Sequence, residues 1–206
     1  LGHQRVIEKA RKIAKKKKIK FGLMVFHPLP VMFFNKKLKN YRIDSLEQKI
    51  NSSKKLGIDF LIIKNFDKKF SLTNADDFIK NILYKKLEAK LIFISKNFRF
   101  GKNRTGNIKL LKSREKLFEY NTKTISPLNR KNNIVSSTLI RKNISKGNIK
   151  YANKLLGRPW LVEGLVKRGD RRGRRIGFPT CNLDLQSYIV PKLGVYSSII
   201  IVNKKI

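Results

Sequence analysis

The chain has 206 residues, enough for one or two domains, and 41% of them are hydrophobic, which excludes a wholly disordered protein. The formal net charge of +36 indicates an anionic partner, either a polyanion such as RNA or small substrates such as nucleotides. Because the lysines are spread along the chain among Asn and Ile, codon bias would produce the same charge. Both explanations of the charge stay open.

Cysteine content and hydropathy limit the surroundings in which the chain works. The single cysteine, Cys181, excludes an internal disulfide and fits a reducing cytoplasm. No apolar run reaches the length of about eighteen residues that a membrane helix needs. We therefore expect a cytoplasmic protein with no membrane partner.

From residue 1 to about residue 130, helix patterns alternate with strand patterns. Apolar residues at helical spacing form three stripes, at residues 6–14, 45–56 and 74–87. Short apolar runs between them predict strands, at residues 21–26, 58–63, 91–94 and 122–125. This order predicts a parallel, doubly wound α/β sheet, which binds ligands at the carboxyl ends of its strands.

The stretch Val135–Arg141 is the most informative in this half. A helix that starts at Ser136 or Ser137 would present free N–H groups and a positive dipole end to phosphate oxygens. Ser137 and Arg141 are four residues apart and share one helix face, and Thr138 is a neighbour of Arg141. Taken alone, the heptapeptide favours the alternative of a simple N-cap with an exposed arginine.

Two other segments of this half are candidate ligand contacts. His3 follows Gly2 at the start of the first helix, where an imidazole could donate to a phosphate oxygen. A lone histidine at such a position is more often a helix-start or surface residue. Residues 98–104 follow the third strand, at the edge where a ligand loop is expected. The alternative for that loop is that Phe98 and Phe100 pack on the sheet beside solvated basic residues.

The composition becomes β-like after Gly157, which predicts a domain boundary there. A glycine- and arginine-rich turn at residues 169–177 can cradle phosphates with backbone N–H groups and guanidinium groups. Thr180 and Asn182 supply oxygen atoms, which suit a Mg²⁺ ion bridging phosphates. The alternative for the turn is an RNA-binding or merely solvated basic loop. We expect domains at 1–156 and 157–206.

The order of the N-terminal motifs resembles that of bacterial bifunctional riboflavin kinase/FAD synthetases. Gly2-His3 looks like the second half of the HxGH signature of nucleotidyltransferases, and Val135–Arg141, read as VSSTLIR, looks like the phosphate-binding motif ISSTxIR. Two motifs depart from the family pattern. F-[ED]-P-H-P reads FHPLP at residues 26–30, and G-x-D-F-x-F-G reads SKNFRFG at residues 95–101.

The C-terminal motifs resemble the riboflavin kinase signature of the same family. The pattern G-R-x-x-G-F-P-T-A-N reads GRRIGFPTCN at residues 173–182, with Cys181 in place of alanine, and P-x-x-G-V-Y matches residues 191–196. In the family a glutamate further downstream acts as the base, and it has no counterpart up to Ile206. The sequence also opens inside the first motif and closes on an apolar strand pattern at residues 199–202. We therefore expect a fragment of a longer protein.

The resemblance implies a Rossmann-like nucleotidyltransferase domain followed by an incomplete all-β Greek-key barrel. The first would convert FMN and ATP to FAD and pyrophosphate, and the second would convert riboflavin and ATP to FMN and ADP with Mg²⁺. It implies catalytic roles for His3 and Arg141, and Mg²⁺ contacts for Thr180 and Asn182. The expected nucleotide-binding residues are Gly2, Phe98, Phe100, Gly101, Ser136, Ser137, Thr138, Gly173, Gly177, Pro179, Thr180 and Asn182.

Two alternatives come from other classes of protein. A basic RNA-binding protein without catalysis would explain the charge and the arginine-rich turn, but neither GFPTCN nor SSTLIR. A nucleotidyltransferase acting on another acceptor, such as phosphopantetheine, would leave the β-like second half without a role. We therefore expect ATP, riboflavin and FMN as partners and no nucleic acid, and the sequence gives no oligomeric state.

Overall fold

The computed structural model describes residues 2–126, 129–130, 133–170, 172–178 and 180–202. The fold divides into two compact units. The first comprises residues 1–39 and 44–136, and the second comprises residues 40–43 and 137–206. Within the described ranges, no helix is both long enough and apolar enough to cross a membrane.

Parallel strand pairs form the larger part of the sheet structure in the first unit. Strand β1 (Gly22–His27) pairs with β2 (Phe60–Asn65), and β3 (Leu91–Ser95) pairs with β4 (Asn121–Ile125). A short antiparallel pair follows, β5 (Asn129–Arg130) with β6 (Asn133–Ile134). The four predicted strands and their parallel pairing are confirmed. A single doubly wound sheet joining both parallel pairs stays a prediction.

Helices connect the strands of each parallel pair, as parallel strands require. The helices of the first unit are α1 (Gly2–Lys17), α2 (Pro30–Phe34), α3 (Leu46–Lys55), α4 (Lys68–Ser71), α5 (Ala75–Asp77), a π-helix (Phe78–Tyr84), a 3₁₀-helix (Lys102–Arg104) and α6 (Ile108–Ser113). Helix α1 buries Ile7, Ala10 and Ala14, three residues of the stripe predicted from the sequence.

Local hydrogen bonds explain where two of these helices begin. The Ser45 hydroxyl accepts a 3.0 Å bond from the backbone N–H of Gln48, whose side chain accepts a 2.9 Å bond from the Ser45 N–H. This reciprocal capping box satisfies two N–H groups that the helix itself cannot. The Asn74 side chain accepts from the Asp77 N–H at 2.7 Å and starts α5. The predicted helix there continues as a π-helix.

The core of the first unit lies around β3 and the π-helix. Its buried residues are Ala75, Phe78, Ile79, Leu83, Ile94, Phe100, Leu111 and Tyr120. Tyr120 is only 2% exposed, and its hydroxyl donates a 2.6 Å hydrogen bond to the carbonyl oxygen of Leu111. Burial, followed by the charge of Glu115, raises the pKa of Tyr120 from 10.0 to about 12.

The second unit contains a helical hairpin and a small antiparallel strand pair. Helices α7 (Ser137–Ser145) and α8 (Ile149–Leu156) pack together, and Gly157 ends α8 in the left-handed conformation at φ +74°. Strand β7 (Val166–Lys167) pairs with β8 (Asn182–Leu183). Between them, residues Arg172–Arg175, predicted as a turn, form the single helical turn α9.

The compact units divide the chain at a different place from the predicted boundary after residue 156. Helix α8 is tied to the residues that follow it, because the Trp160 N–H donates a 2.7 Å bond to the side chain of Asn153. The boundary between the two activities stays a prediction. In the strand pattern at 199–202, Val202 forms a β-bridge, residues 199–201 have no strand assignment, and all four side chains are exposed. The β7–β8 pair is compatible with the predicted barrel but is only a small part of one.

Candidate functional site

The phosphate-binding motif predicted at Val135–Arg141 lies at the start of a helix. Helix α7 begins at Ser137, as the sequence predicts, so the N–H groups of its first turn lack partners within the helix. Ile140 and Ile144 are buried, whereas Thr138 is exposed and Ser137 is half-buried. The apolar face of α7 is therefore turned inward, which leaves the hydroxyl groups on a more accessible face.

Tyr41 holds Arg141 in place by two contacts. The Arg141 Nε donates a 2.9 Å hydrogen bond to the carbonyl oxygen of Tyr41, and its guanidinium carbon lies 3.8 Å from the centroid of the Tyr41 ring. Burial lowers the pKa of Arg141 from its ordinary value. A guanidinium nevertheless stays charged at neutral pH, so Arg141 offers a fixed positive charge.

Tyr41 is a residue that sequence reasoning missed. It belongs to residues 40–43, which precede Arg141 by about a hundred positions but form part of the same compact unit. No local pattern marks it, because its contact to Arg141 is made by a backbone carbonyl and a ring face.

The loop after β3 contains three of the predicted nucleotide-binding residues, and they differ in accessibility. Phe98 and Phe100 stack with their ring centroids 5.7 Å apart, but Phe98 is half-buried and Phe100 is 7% exposed. The ring of Phe100 also packs 5.3 Å from that of Phe78. The interpretation of this loop as aromatic packing is thus correct for Phe100.

Gly101 occupies a position that only glycine fits. Its φ is +73°, and a Cβ there would lie 2.7 Å from the backbone nitrogen of Ala75. The 3₁₀-helix that follows is tied back to the chain, because the Lys102 N–H donates to the Thr73 carbonyl oxygen at 2.7 Å. Gly101 therefore sets the path of the loop.

The remaining predicted residues of the first unit are Gly2, His3 and Ser136. Gly2 and His3 lie in the first turn of α1, as predicted, but the side chain of His3 is outside the part of the chain that the structure describes. Ser136 directly precedes α7 and is half-buried.

In the second unit, glycines of the Gly/Arg-rich turn lie close to the segment that contains Thr180 and Asn182. A Cβ on Gly173 would overlap the carbonyl oxygen of Phe178 and approach the Thr180 methyl group to 3.1 Å. A Cβ on Gly169 would overlap the Asn182 side chain. The spacing of these glycines therefore follows from close packing of the turn against this segment. Pro179 lies outside the described residues, and Gly177 has a φ of +82°.

Thr180 and Asn182 are both exposed. Asn182 is the first residue of β8, and Thr180 lies two positions before it. A hydroxyl and an amide carbonyl are oxygen ligands that suit Mg²⁺. Nowhere in the described ranges do three or more His, Cys, Asp or Glu side chains gather as a metal site. This donor set fits a Mg²⁺ ion that keeps most of its ligands from water and phosphates rather than from a protein cage.

An ion pair holds the strand that contains Asn182. Lys167 Nζ lies 2.6 Å from Asp184 Oδ2, where Lys167 is the last residue of β7 and Asp184 directly follows β8. The hydrogen bond from Lys167, followed by one from the Gln186 backbone, lowers the pKa of Asp184. The pair supports the register in which Lys167 lies opposite Asn182.

Comparison with protein-family models decides the family of the chain. The model for FAD synthetase matches residues 1–139, and the model for riboflavin kinase matches residues 156–206. The chain belongs to the FAD synthetase family. The family that the motifs of α7 and of the Gly/Arg-rich turn indicate is thus confirmed.

Curated relatives of this FAD synthetase family member are bifunctional riboflavin kinase/FMN adenylyltransferases. The chain is 42% identical over 200 residues to that of Buchnera aphidicola subsp. Schizaphis graminum, and 36% identical over 200 residues to that of Bacillus subtilis. It is 30% identical over 196 residues to that of Escherichia coli K12. These alignments cover 95–96% of the chain but 62–64% of the relatives.

A solved structure has the same fold over nearly the whole chain. It is described as a macrolide-efflux protein from Streptococcus pneumoniae, with 31% sequence identity and a TM-score of 0.79. The similarity covers 95% of this chain and 64% of that one. The description as an efflux protein applies to that structure, and the similarity shows that the two chains share a fold.

Proposed function

We propose that the protein makes FAD in two ATP-dependent steps, riboflavin to FMN and FMN to FAD. The single observation that carries the proposal is the placement of VSSTLIR at the N-terminal turn of α7, with its last residue, Arg141, held by Tyr41. A helix N-terminus, three hydroxyls and a fixed cation together suit phosphate groups. The family membership supplies the acceptor, FMN, and the donor, ATP.

In adenylyl transfer a phosphate oxygen of FMN attacks the α-phosphorus of ATP, and the bond to the departing pyrophosphate breaks. Negative charge grows on that leaving group, so the protein needs positioned donors rather than a covalent nucleophile. We assign this role to His3 and Arg141, and phosphate binding to Ser136, Ser137 and Thr138. Gly2 would allow close backbone approach of the ligand, and Phe98 and Gly101 would line the nucleotide.

The burial of Phe100 changes what we propose for that residue. Its ring is part of the hydrophobic core and packs on Phe78, so we assign it the support of Phe98 and of the Gly101 turn. The half-buried ring of Phe98 is the one that a base or flavin ring could contact.

For phosphorylation of riboflavin we assign ATP binding to the Gly/Arg-rich turn. Gly173, Gly177, Pro179 and Thr180 would surround the phosphates, and Thr180 and Asn182 would hold Mg²⁺. When bound, Mg²⁺ supplies neutralisation of the charge on the transferred phosphoryl group. The exposed oxygens of Thr180 and Asn182 and the close approach of Gly169 and Gly173 support this assignment.

The proposal includes the finer architecture and the division of labour. The parallel pairs β1–β2 and β3–β4 would belong to one Rossmann-like sheet in a domain of residues 1–156. Residues 157–206 would belong to a Greek-key barrel, of which β7–β8 is one pair. We place the adenylyltransferase activity in the first and the kinase activity in the second.

The test is a pair of assays on the purified full-length protein with Mg²⁺ and ATP. Supplied FMN should give FAD and pyrophosphate, and supplied riboflavin should give FMN, both separated by chromatography with fluorescence detection. Phosphopantetheine replaces FMN in a parallel reaction. Adenylylation of phosphopantetheine but not of FMN would contradict the proposal and favour a nucleotidyltransferase with another acceptor.

Filter binding to RNA across a salt series tests the remaining alternative. A protein that neutralises many phosphates loses affinity steeply as salt increases. Tight binding with a steep salt dependence, together with no flavin product in either assay, would favour a basic RNA-binding protein.

A further inference from the structure

Residues Asn40–Ile43, which we call the strap, are an integral part of the second unit although they are inserted within the first unit's sequence. The Asn40 side chain donates to the carbonyl oxygens of Gln186 at 2.9 Å and Tyr188 at 3.1 Å. One side-chain amide thus donates hydrogen bonds to two carbonyl oxygens of the same turn.

The backbone of the strap is bonded to that turn as well. The Tyr41 N–H donates to the Ser187 carbonyl oxygen at 2.9 Å, and the Ile189 N–H donates to the Arg42 carbonyl oxygen at 2.8 Å. At the other end, the Trp160 indole N–H donates to the carbonyl oxygen of Ile43 at 3.0 Å, and Ile43 is buried. The strap is therefore fixed on both sides of Tyr41.

Tyr41, itself fixed by the strap, holds Arg141 in place by two different contacts. Its carbonyl oxygen holds the Nε edge of the guanidinium at 2.9 Å, and its ring lies 3.8 Å below the guanidinium carbon. Among the residues that the structure describes, none accepts a hydrogen bond from the Nη nitrogens. The Nη edge is thus the part of Arg141 that remains for a ligand.

We propose that Tyr41 is a positioning residue for adenylyl transfer, which holds the Arg141 guanidinium by edge and face so that its Nη nitrogens point to the phosphates of ATP. This inference rests on the proposed function and goes beyond it. A flexible arginine loses side-chain entropy when it binds a phosphate, and a prepositioned one loses less.

The contacts of the strap join two parts of the chain that match different family models. The turn at residues 186–189, which anchors the strap, lies within the part that matches the riboflavin kinase model. Arg141 belongs to the motif of the adenylyltransferase. The kinase-like part therefore provides the support for an arginine of the other reaction.

The test compares Tyr41→Leu and Tyr41→Phe with the unsubstituted protein. Removing the ring should lower kcat/KM for FAD formation about 2- to 30-fold, the range that a cation–π contact corresponds to. Tyr41→Phe keeps the ring and the carbonyl and should restore the rate. Riboflavin phosphorylation and the thermal unfolding midpoint should change little. Tyr84→Leu, an exposed tyrosine remote in sequence from the strap, is the matched control.

A double-mutant cycle separates positioning from a general structural role. If Tyr41 acts through Arg141, Tyr41→Leu should cause no further loss in an Arg141→Ala background. An equal loss in both backgrounds, or no loss from Tyr41→Leu while Arg141→Ala is impaired, would overturn the inference.

Calorimetric ATP affinity, measured on the same variants, distinguishes failure of the inference from failure of the proposed function. Absence of FAD formation by the unsubstituted protein contradicts the proposed function alone. Weaker ATP binding by both Tyr41→Leu and Arg141→Ala would still support positioning by Tyr41. Unchanged affinity in both variants, or no ATP binding at all, would overturn it.

Discussion

The ring of Phe98 stacks on the ring of Phe100 at a centroid distance of 5.7 Å and an interplanar angle of 22°, yet only Phe100 is buried. The two aromatic residues of this loop therefore have different tasks. Phe100 continues the core outward from Phe78, and Phe98 covers it on the accessible side. A substitution at each position should separate stability from ligand binding.

We expect Phe100→Ala to lower the free energy of unfolding by about 3–5 kcal/mol, because it leaves a cavity in the core. Phe98→Ala should lower it less, since this ring is only half-buried, and should weaken binding of nucleotide or flavin several-fold. Urea unfolding and calorimetric titration with ATP and FMN measure the two effects. Equal stability losses with unchanged affinities would remove Phe98 from the proposed site.

His3 and Arg141 should matter for one reaction only. His3→Ala and Arg141→Ala each remove a donor to charge that develops on phosphate, which corresponds to roughly 10²–10³ in rate. We expect FAD formation to fall by that amount while FMN formation stays nearly intact. A parallel loss of both activities would indicate misfolding, and an unchanged rate would remove the residue from the site.

Thr180 and Asn182 should show the opposite pattern. Replacing either with alanine removes an oxygen proposed to hold Mg²⁺, so phosphorylation of riboflavin should be abolished. FMN supplied directly should still be converted to FAD, because we assign the two activities to separate domains. A matched control is Asn121→Ala, an exposed asparagine at the start of β4. Collapse of FAD formation in the Thr180 and Asn182 variants would contradict the assignment of the two activities to separate domains.

The elements that the sequence predicts correctly depend on neighbouring residues. The start of α7, the stripe of α1 and the four strands of the first unit follow from local periodicity and capping. The strap depends on contacts between residues 100 to 148 positions apart, which use main-chain carbonyls that every residue carries. For that reason Tyr41 carries no signal in the sequence.

For a second group of residues, the sequence allows two interpretations and does not decide between them. Phe98 and Phe100 are both aromatic in a loop of basic residues, and only the packing around Phe78 decides which ring is buried. The sequence does not predict the helical turn α9, because a glycine within a run of arginines is typical of turns. Its backbone closes instead through the Phe178 N–H, which donates to the Gly173 carbonyl oxygen at 2.7 Å.

Gly101 should tolerate no side chain. Gly101→Ala would put a Cβ 2.7 Å from the Ala75 nitrogen at a φ of +73° and a ψ of 174°, a backbone conformation that costs an L-residue about 1–3 kcal/mol before any clash. We expect a loss of unfolding free energy at least that large, together with weaker nucleotide binding. Gly194→Ala is the control, since the nearest atom to its Cβ would lie 3.9 Å away. Equal stability of the two variants would show that the loop after β3 can move aside.

Tyr120 should give the protein a distinct loss of stability in alkaline solution. Its hydroxyl is buried and bonded to Leu111, and its pKa in the folded protein is about 12 against an ordinary value of 10.0. Because the folded state holds this proton more tightly, the associated stability is complete below pH 10. It is lost as the pH rises from 10 towards 12, by about 1.4 kcal/mol per pH unit.

Tyr120→Phe removes both the hydrogen bond and the titrating group. Near neutral pH it should cost about 1 kcal/mol, because the buried Leu111 carbonyl loses its donor. Above pH 10 the unsubstituted protein should lose stability more steeply than the variant, so the difference between them should shrink and then reverse. Urea unfolding from pH 8 to pH 11 measures both, with Tyr84→Phe as the exposed control. A difference that stays constant across this range would mean that the Tyr120 hydroxyl ionises equally easily in the folded and unfolded chains.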